Sequence, residues 1–320
     1  MAEAVPLLSL IVPAYNERES APEIVAFFRA VAAAHAGLAV ELVVVDDGSE
    51  DGTAEAITAA TRPGEPVRVV RLSRNFGSHA AITAGLTVCA GDAALTLSAD
   101  LQEPLSAVQD FVTEWRTGGD IVWGLRSVRA AGGVNDLFAR MFSMLYQRSS
   151  EVPTYPREGP SQILLSRAVI DVIVAMPELN RNVLAMAAWS GFTQRRVFFR
   201  QLPRPYGKSK WTTKKKVKLV IDSFVEFSAA PIQWLSLLGM GLGAAGVLTV
   251  LLGVILAVAG IGLSSGFVIL GGVVLVVGGL ILLGLGTVGE YVWRAGDDAR
   301  RRPLFVIQSI QDNRVGRENR

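Results

Sequence analysis

The sequence predicts an α/β protein built on a doubly wound, mostly parallel sheet, followed by amphipathic interfacial helices and a two-helix transmembrane hairpin. Three observations carry this. Residues 7–125 alternate short apolar runs with helical patterns. Two later segments space apolar residues at i, i+3, i+4, i+7. From residue 227 to residue 289 there is no Asp, Glu, Lys, Arg or His.

The apolar runs are residues 8–12, 40–45, 67–72, 93–97 and 121–123, each bounded by turn signals. Helical patterns at 22–34, 54–60, 80–88 and 105–115 lie between them. Strands alternating with helices argue for parallel pairing with helices on both faces. Ser49, Asp51 and Thr53 are helix N-cap types, which places a helix start just past the acidic pair Asp46-Asp47.

Beyond residue 125 the pattern changes. Phe138, Met141, Phe142 and Leu145 make one amphipathic helix, and Val217, Val220, Ile221, Phe224 and Phe227 make another that runs into the apolar region. Lysines at the start of the second suit a helix lying in a membrane interface. The uncharged run of roughly 60 residues is long enough for two spans at ~20 residues each, placed at 234–259 and 266–291 with residues 260–265 as the connecting loop. Mean hydropathy of +0.37 and 50% hydrophobic residues reflect this local excess. Lys208, Lys210, Lys214, Lys215, Lys216 and Lys218 precede the first span, and Arg294, Arg300, Arg301 and Arg302 follow the second. Basic flanks around an uncharged loop place both ends on the cytoplasmic side. Glycines in the spans read as close-packing positions. The tail at 302–307 reads as a short returning strand.

Cys89 is the single cysteine, so no internal disulfide forms. The N-terminus has no basic region before its apolar run, which is too short for a signal peptide. No internal repeat is present. The net charge of +2 selects no partner.

Three strand ends carry the polar chemistry: Pro13-Ala14-Tyr15-Asn16-Glu17, Asp46-Asp47-Gly48-Ser49 and Ser98-Ala99-Asp100-Leu101-Gln102-Glu103-Pro104. In an open α/β sheet such ends converge on one edge, where ligands bind. A tyrosine, several acids and a flexible glycine there suit a base, a ribose and a metal-bound diphosphate. Carboxylates repel phosphates unless a divalent cation lies between them, so the site implies Mg2+ or Mn2+. No Gly-rich turn follows the first strand, and no phosphate-binding Gly-x-x-x-x-Gly-Lys loop occurs, which disfavours dinucleotide-binding dehydrogenases and P-loop NTPases.

These strand ends, with Asp51-Gly52-Thr53, Arg74-Asn75-Phe76-Gly77, Gly124-Leu125-Arg126 and Tyr206-Gly207-Lys208-Ser209-Lys210-Trp211, resemble the family-2 glycosyltransferases. More narrowly they are similar to the polyprenyl-phosphate glycosyltransferases, the group of dolichyl-phosphate mannose synthase and bactoprenol glucosyltransferase. The resemblance runs through Phe227-Ser228, Pro231 and Gly289-Glu290-Tyr291 to Arg302-Pro303, nearly the whole chain. It implies a GT-A-like fold and inverting transfer of one sugar from a nucleotide-sugar donor to an undecaprenyl- or decaprenyl-type phosphate, for modification of cell-envelope glycans. It implies a cytoplasmic catalytic domain over 1–211, a juxtamembrane helix over 212–232, two spans within 233–292 and a cytoplasmic tail over 293–320. The site is then an inner (plasma) membrane one, with no nucleic acid as partner, and the chain is a homo-oligomer, a tetramer being the form suggested.

Residue by residue, the resemblance assigns Pro13, Tyr15 and Glu17 to the base and ribose pocket and Asp46 to reading the base. Asp47 shares that task or holds the turn. Ser98 and Ala99 join the donor site, Asp100 binds the metal and Gln102 completes its shell. Arg126 and Arg140 attract the lipid phosphate, with Ser209. Lys208 and Lys210, on a loop that closes over the phosphates, complete the catalytic set with Asp100 and Arg126. A lipid phosphate is already ionised and attacks the anomeric carbon directly, so no general base is assigned. His35 and His79 read as surface or cap residues, Trp211 as an interface anchor.

Two departures stand out. Ser98 occupies a position where the family commonly has Asp, and Gly159-Pro160-Ser161 stands where it often reads Gly-Asp-Phe. Both reduce the acidity of the site. They motivate a second reading, a membrane scaffold or sugar-lipid binding protein with impaired turnover. A processive polysaccharide synthase is the third; Gln194-Arg195-Arg196-Val197-Phe198 does not supply the Gln-x-x-Arg-Trp motif such enzymes carry.

Overall fold

The computed structural model describes residues 5–127, 154–156, 160–178, 181–202, 266–300 and 302–314. It divides into two compact units, one formed by residues 1–148, 152–213 and 302–320, the other by 149–151 and 214–301.

The first unit is an eight-stranded mixed sheet. In chain order its elements are β1 (Leu7–Ala14), α1 (Ala21–Ala34), β2 (Ala39–Asp46), α2 (Thr53–Ala60), β3 (Val67–Leu72), α3 (Ser78–Val88), β4 (Ala93–Thr96), α4 (Leu105–Arg116) and β5 (Ile121–Arg126). Then come β6 (Gln162–Ser166), α5 (Arg167–Ala175), α6 (Val183–Trp189), β7 (Gln194–Phe199) and, near the C-terminus, β8 (Ile307–Asp312). The strand order is β7-β5-β6-β4-β1-β2-β3-β8. β1 pairs parallel with β2 and β4, β2 with β3, and β5 with β7. β6 lies antiparallel between β4 and β5, and β8 runs antiparallel along β3.

Side-chain alternation along β1 explains the two-faced core. Leu8, Leu10 and Val12 are buried in a cluster with α1, α2 and α4, which includes Ile24, Phe28, Ile57 and Phe111. Ile11 points the other way, toward α3. There Gly85 allows close approach, since a Cβ would lie 2.5 Å from Ile11 Cγ2. Burial on both faces is why the strands read as unbroken apolar runs.

The five strands and four helices expected up to residue 125 are present, with ends differing by a few residues. From β6 to β7 the chain lacks the strand–helix alternation of the earlier elements, and β6 itself follows directly on Gly159-Pro160-Ser161, where the resemblance implies a strand. β6 is an antiparallel insertion, which breaks the β-α alternation that made the rest legible. The returning tail strand is at Ile307–Asp312, beyond the expected 302–307, because its register is set by pairing with Arg68–Leu72 rather than by local apolarity. Arg68 and Asp312 form an ion pair at 2.9 Å. Arg314 Nη1 lies 3.2 Å from Oε2 of Glu41, a carboxylate only 1% exposed.

In the second unit the described part is a single helix, α7 (Gly266–Ala299), of 34 residues. It starts where the second span was expected and runs past Tyr291. Leu270, Val274, Val277, Ile281, Leu285, Val288 and Val292 are exposed along it, at spacings of three and four that make one face. Counting only the described side chains, no helix is long and apolar enough to cross a membrane. Phe267, Val268 and Ile269 are among the residues of α7 outside that count. Both expected amphipathic helices and the first expected span lie outside the described residues, as do Arg140, Lys208, Ser209, Lys210 and Trp211.

Candidate active site

The carboxyl ends of β1 and β2 are stitched to each other. Asn16, in a left-handed conformation with φ 52°, donates its N–H to Ser49 Oγ at 2.9 Å and accepts from the Glu50 N–H at 3.1 Å. The Glu17 N–H donates to Thr53 Oγ1 at 2.9 Å, and the Arg18 N–H to Asp51 Oδ2 at 3.2 Å. Asp51 Oδ1 also accepts from the Thr53 N–H at the start of α2. The hydroxyls and the outer acid of this motif therefore shape the loops. Pro13, Tyr15 and Glu17 are carried as a fixed, partly exposed strip.

The two adjacent acids at the end of β2 do different jobs. Asp47 binds the loop between β3 and α3: Oδ1 accepts from the Phe76 N–H at 2.7 Å and Oδ2 from the Gly77 N–H at 2.9 Å. Burial pushes its pKa up, and these two bonds pull against that rise. Of the two roles the resemblance allowed, the geometry gives Asp47 the turn-holding one. Asp46 is equally buried, but only Oδ1 is bonded, to the Ser49 N–H at 2.9 Å. Its Oδ2 is buried without a hydrogen-bond partner, 3.7 Å from Arg71 Nε. A buried carboxylate oxygen in that state is costly unless a donor arrives. Directly after them Gly48 has φ 70°, and a Cβ there would run into the Arg74 backbone. The turn thus requires glycine twice over, for its dihedral and for the contact.

The third strand end is a tight turn. The Leu101 N–H donates to Ser98 O at 3.1 Å, and Leu101 has φ 48°. This places Asp100 on the turn, with Oδ1 shielded from solvent. The Ser98 hydroxyl donates to the Glu103 carboxylate at 2.8 and 2.9 Å, and Gln162 Nε2 on β6 bonds the same group. Glu103 is 1% exposed; burial pushes its pKa up to about 7, and the Ser98 bond pulls the other way. Gln102 Oε1 accepts from Gln201 Nε2 at 2.8 Å, and the Leu202 N–H donates to Gln102 O at 2.9 Å. Ser98 and Gln102 therefore brace the turn through Glu103 and Gln201.

Among the described residues, the sequence-nominated groups on β1, β2 and β4 sit at one sheet edge, and Arg126 is exposed at the end of β5 on the same edge. Glu103 was missed as a site residue because nothing in its sequence context signals burial. His79 is half-buried and has the cap role of the two expected for it: its Nδ1 accepts from the Val183 N–H, the first of α6, at 3.3 Å, and burial lowers its pKa to about 4. Among the described residues no three His, Cys, Asp or Glu side chains converge to hold a metal by themselves. An Asp100 carboxylate at the turn suits a hard cation.

Residues 9–172 match the family described as Glycosyl transferase family 2. The chain is 31% identical over 304 residues to an uncharacterized glycosyltransferase of Synechocystis sp., covering 95% of each. It is 33% identical over 311 residues to the undecaprenyl-phosphate 4-deoxy-4-formamido-L-arabinose transferase of Pseudomonas aeruginosa, covering 96% of this chain and 91% of the relative. Among solved structures, a mannosyltransferase from Pyrobaculum calidifontis in complex with GDP-Man and Mn2+ has a TM-score of 0.51 at 15% identity. That match covers 94% of this chain and 89% of the other, and it shows a shared fold.

Proposed function

The chain belongs to glycosyltransferase family 2, and on that premise we propose that it transfers a single sugar from a nucleotide-sugar donor to a polyprenyl phosphate, with inversion at the anomeric carbon. The observation that carries this reading is the near full-length match to a transferase whose acceptor is undecaprenyl phosphate. The geometry supports it. Asp46 Oδ2 makes no hydrogen bond within the protein and lies 3.7 Å from Arg71 Nε, which leaves it as an acceptor for a base N–H. The fixed strip of Pro13, Tyr15 and Glu17 flanks it as the wall for base and ribose.

A divalent cation would be held by Asp100 with Gln102, and it would supply charge neutralisation of the leaving diphosphate. The protein's own part is alignment. The Ser98–Glu103–Gln162 cluster and the Gln102–Gln201 bond fix the Asp100 turn in place. Arg126 offers the acceptor phosphate a cation at the same edge. Holding two ionised partners in line replaces acid–base chemistry. Lys208, Ser209, Lys210 and Arg140 belong to the same reading as phosphate-binding groups.

The chain is further read as a multi-pass protein of the inner membrane with its catalytic unit and both termini cytoplasmic. Support comes from the exposed apolar face of α7, which from Leu270 to Val292 spans about 33 Å, close to a hydrocarbon core. Self-association belongs to this reading too; Val306 and Ile310 are exposed at and just before the outer strand β8.

The test is transfer itself. Purified full-length protein, polyprenyl phosphate, Mg2+ or Mn2+ and a panel of labelled sugar nucleotides are expected to give a lipid carrying one sugar. A polymer would favour a processive synthase, and donor binding without product would favour an impaired scaffold. Asp100→Asn is expected to abolish transfer without lowering the melting temperature.

A further inference from the structure

We propose that the outer rim of the sheet at β7 rests on an anionic bilayer surface, an inference that depends on the membrane and polyprenyl-phosphate reading above. Alternation along β7 sends Val197 and Phe199 into the core beside α4, where the Phe199 ring lies 6.5 Å from that of Phe111. The even positions take the opposite face, on which Gln194 Oε1 accepts from Trp123 Nε1 at 2.8 Å. There α5 packs against β6 and β4, two and three strands inward, and β7 is the outermost strand. Arg196 and Phe198 are both exposed on that face, and exposed Arg200 and Leu202 continue the series just past the strand end. Phe198 is 54% and Leu202 47% exposed, so cations and large apolar side chains alternate along the rim.

Charge selects the occupant. Guanidinium groups meet lipid phosphates, while a ring or an aliphatic tip beside them enters the acyl boundary. Glu114 meets Arg195 on the α4 side, 3.8 Å away, and so does not offset the cations of the rim face. A second copy of this chain docked rim to rim would set arginine against arginine, which is repulsive; exposed cations are how an edge strand rejects strand pairing. Position supports the same occupant. Arg126, the cation assigned to the acceptor phosphate, stands opposite Phe199 in the register of β5 with β7, and the Ser127 N–H donates to Phe199 O at 2.9 Å. Gln201 and Leu202 are hydrogen-bonded to Gln102 on the turn that carries Asp100, at 2.8 and 2.9 Å. A polyprenyl phosphate keeps its head at the headgroup layer, so the surface adjoining Arg126 has to meet that layer. β7 is the strand outside Arg126, and its exposed residues are that surface.

Two readouts test this on the full-length protein in vesicles. In the first, Phe198→Cys is labelled with an environment-sensitive fluorophore, Cys89 being buried. The vesicles are phosphatidylcholine with or without phosphatidylglycerol, and both carry a headgroup nitroxide lipid as quencher. The label is expected to be quenched more strongly when phosphatidylglycerol is present, whereas a label at Gln109→Cys, exposed on α4, is expected to escape quenching. Equal quenching at the two positions would overturn the assignment, as would quenching at position 198 that ignores phosphatidylglycerol. In the second, Arg196→Gln/Arg200→Gln is expected to raise the KM for polyprenyl phosphate in phosphatidylglycerol vesicles severalfold. The upper limit is about twentyfold, at roughly fivefold per arginine. The KM for a short, water-soluble prenyl phosphate and the melting temperature are expected to stay unchanged. An unaltered KM for the long acceptor, or an equal rise for both acceptors, would overturn it. The quenching does not require turnover. Quenching without sugar transfer would keep the lipid-facing rim and reject the transferase reading, whereas transfer without quenching would do the reverse.

Discussion

The Ser98 hydroxyl is bound to the Glu103 carboxylate at 2.8 Å, across the turn that presents Asp100. The position where an acid is common in this family is thus tied to an acid five residues later. The negative charge is moved from the ligand-facing side of the turn to its buried side, and there it is available only at higher pH.

Glu103 makes the fold sensitive to pH. Burial raises its pKa from 4.5 to about 7. Below 4.5 both folded and unfolded chains hold the proton and the fold has its full stability. As pH rises through about 7, the unfolded chain ionises freely while the native carboxyl resists, and stability falls. Glu103→Gln keeps a side-chain acceptor and does not titrate. Unfolding measured from pH 4.5 to about 8 is expected to show wild type losing up to about 3 kcal/mol relative to Glu103→Gln. Parallel curves would refute it.

Asp47 and Asp46 are expected to separate cleanly. Asp47→Ala strands the Phe76 and Gly77 N–H groups and is expected to cost about 2–4 kcal/mol in denaturant unfolding. Asp46→Ala removes an under-satisfied buried carboxylate, so it is expected to change stability less and to weaken sugar-nucleotide binding more. Titration calorimetry beside urea melts distinguishes the two. Equal stability losses would remove the division of labour.

Gly48→Ala forces a side chain into a left-handed position and into the Arg74 backbone. A loss of more than about 2 kcal/mol is expected, roughly 1 from the dihedral and the rest from the contact. Because Arg74 begins the loop that Asp47 secures, donor affinity is expected to fall with it. A fully stable Gly48→Ala protein would mean the turn relaxes without cost.

Much of this was readable in the chain. Buried parallel strands announce themselves as short apolar runs, and strand-end motifs announce the site. The division between Asp46 and Asp47 was not readable, because it depends on which carboxylate meets the amides of a loop some 30 residues away. Nor was the antiparallel placement of β6: three apolar residues, Ile163-Leu164-Leu165, have no period of their own, and the gap between β4 and β5 is what they fill. Asn182, by contrast, was a legible signal left unused. It caps α6 by accepting from the Ala185 N–H at 3.2 Å.

Arg314 is expected to matter more than a tail residue should. Removing it with Arg314→Ala leaves the buried Glu41 carboxylate without its cation and is expected to cost about 2 kcal/mol, with Glu41→Gln recovering part of the loss in the double variant. Thermal melts of the four proteins in the cycle measure the coupling. Strict additivity would show that the pair contributes nothing.

The tail's pairing has a mechanical side. The chain leaves the sheet from β7, at one edge, and re-enters it as β8, at the other. At about 4.8 Å per strand the two attachment points stand roughly 34 Å apart. A free tail has one point of attachment; the segment between β7 and β8 has two, fixed at opposite rims of one sheet, and the loop this closes costs it conformational entropy that a free tail would keep.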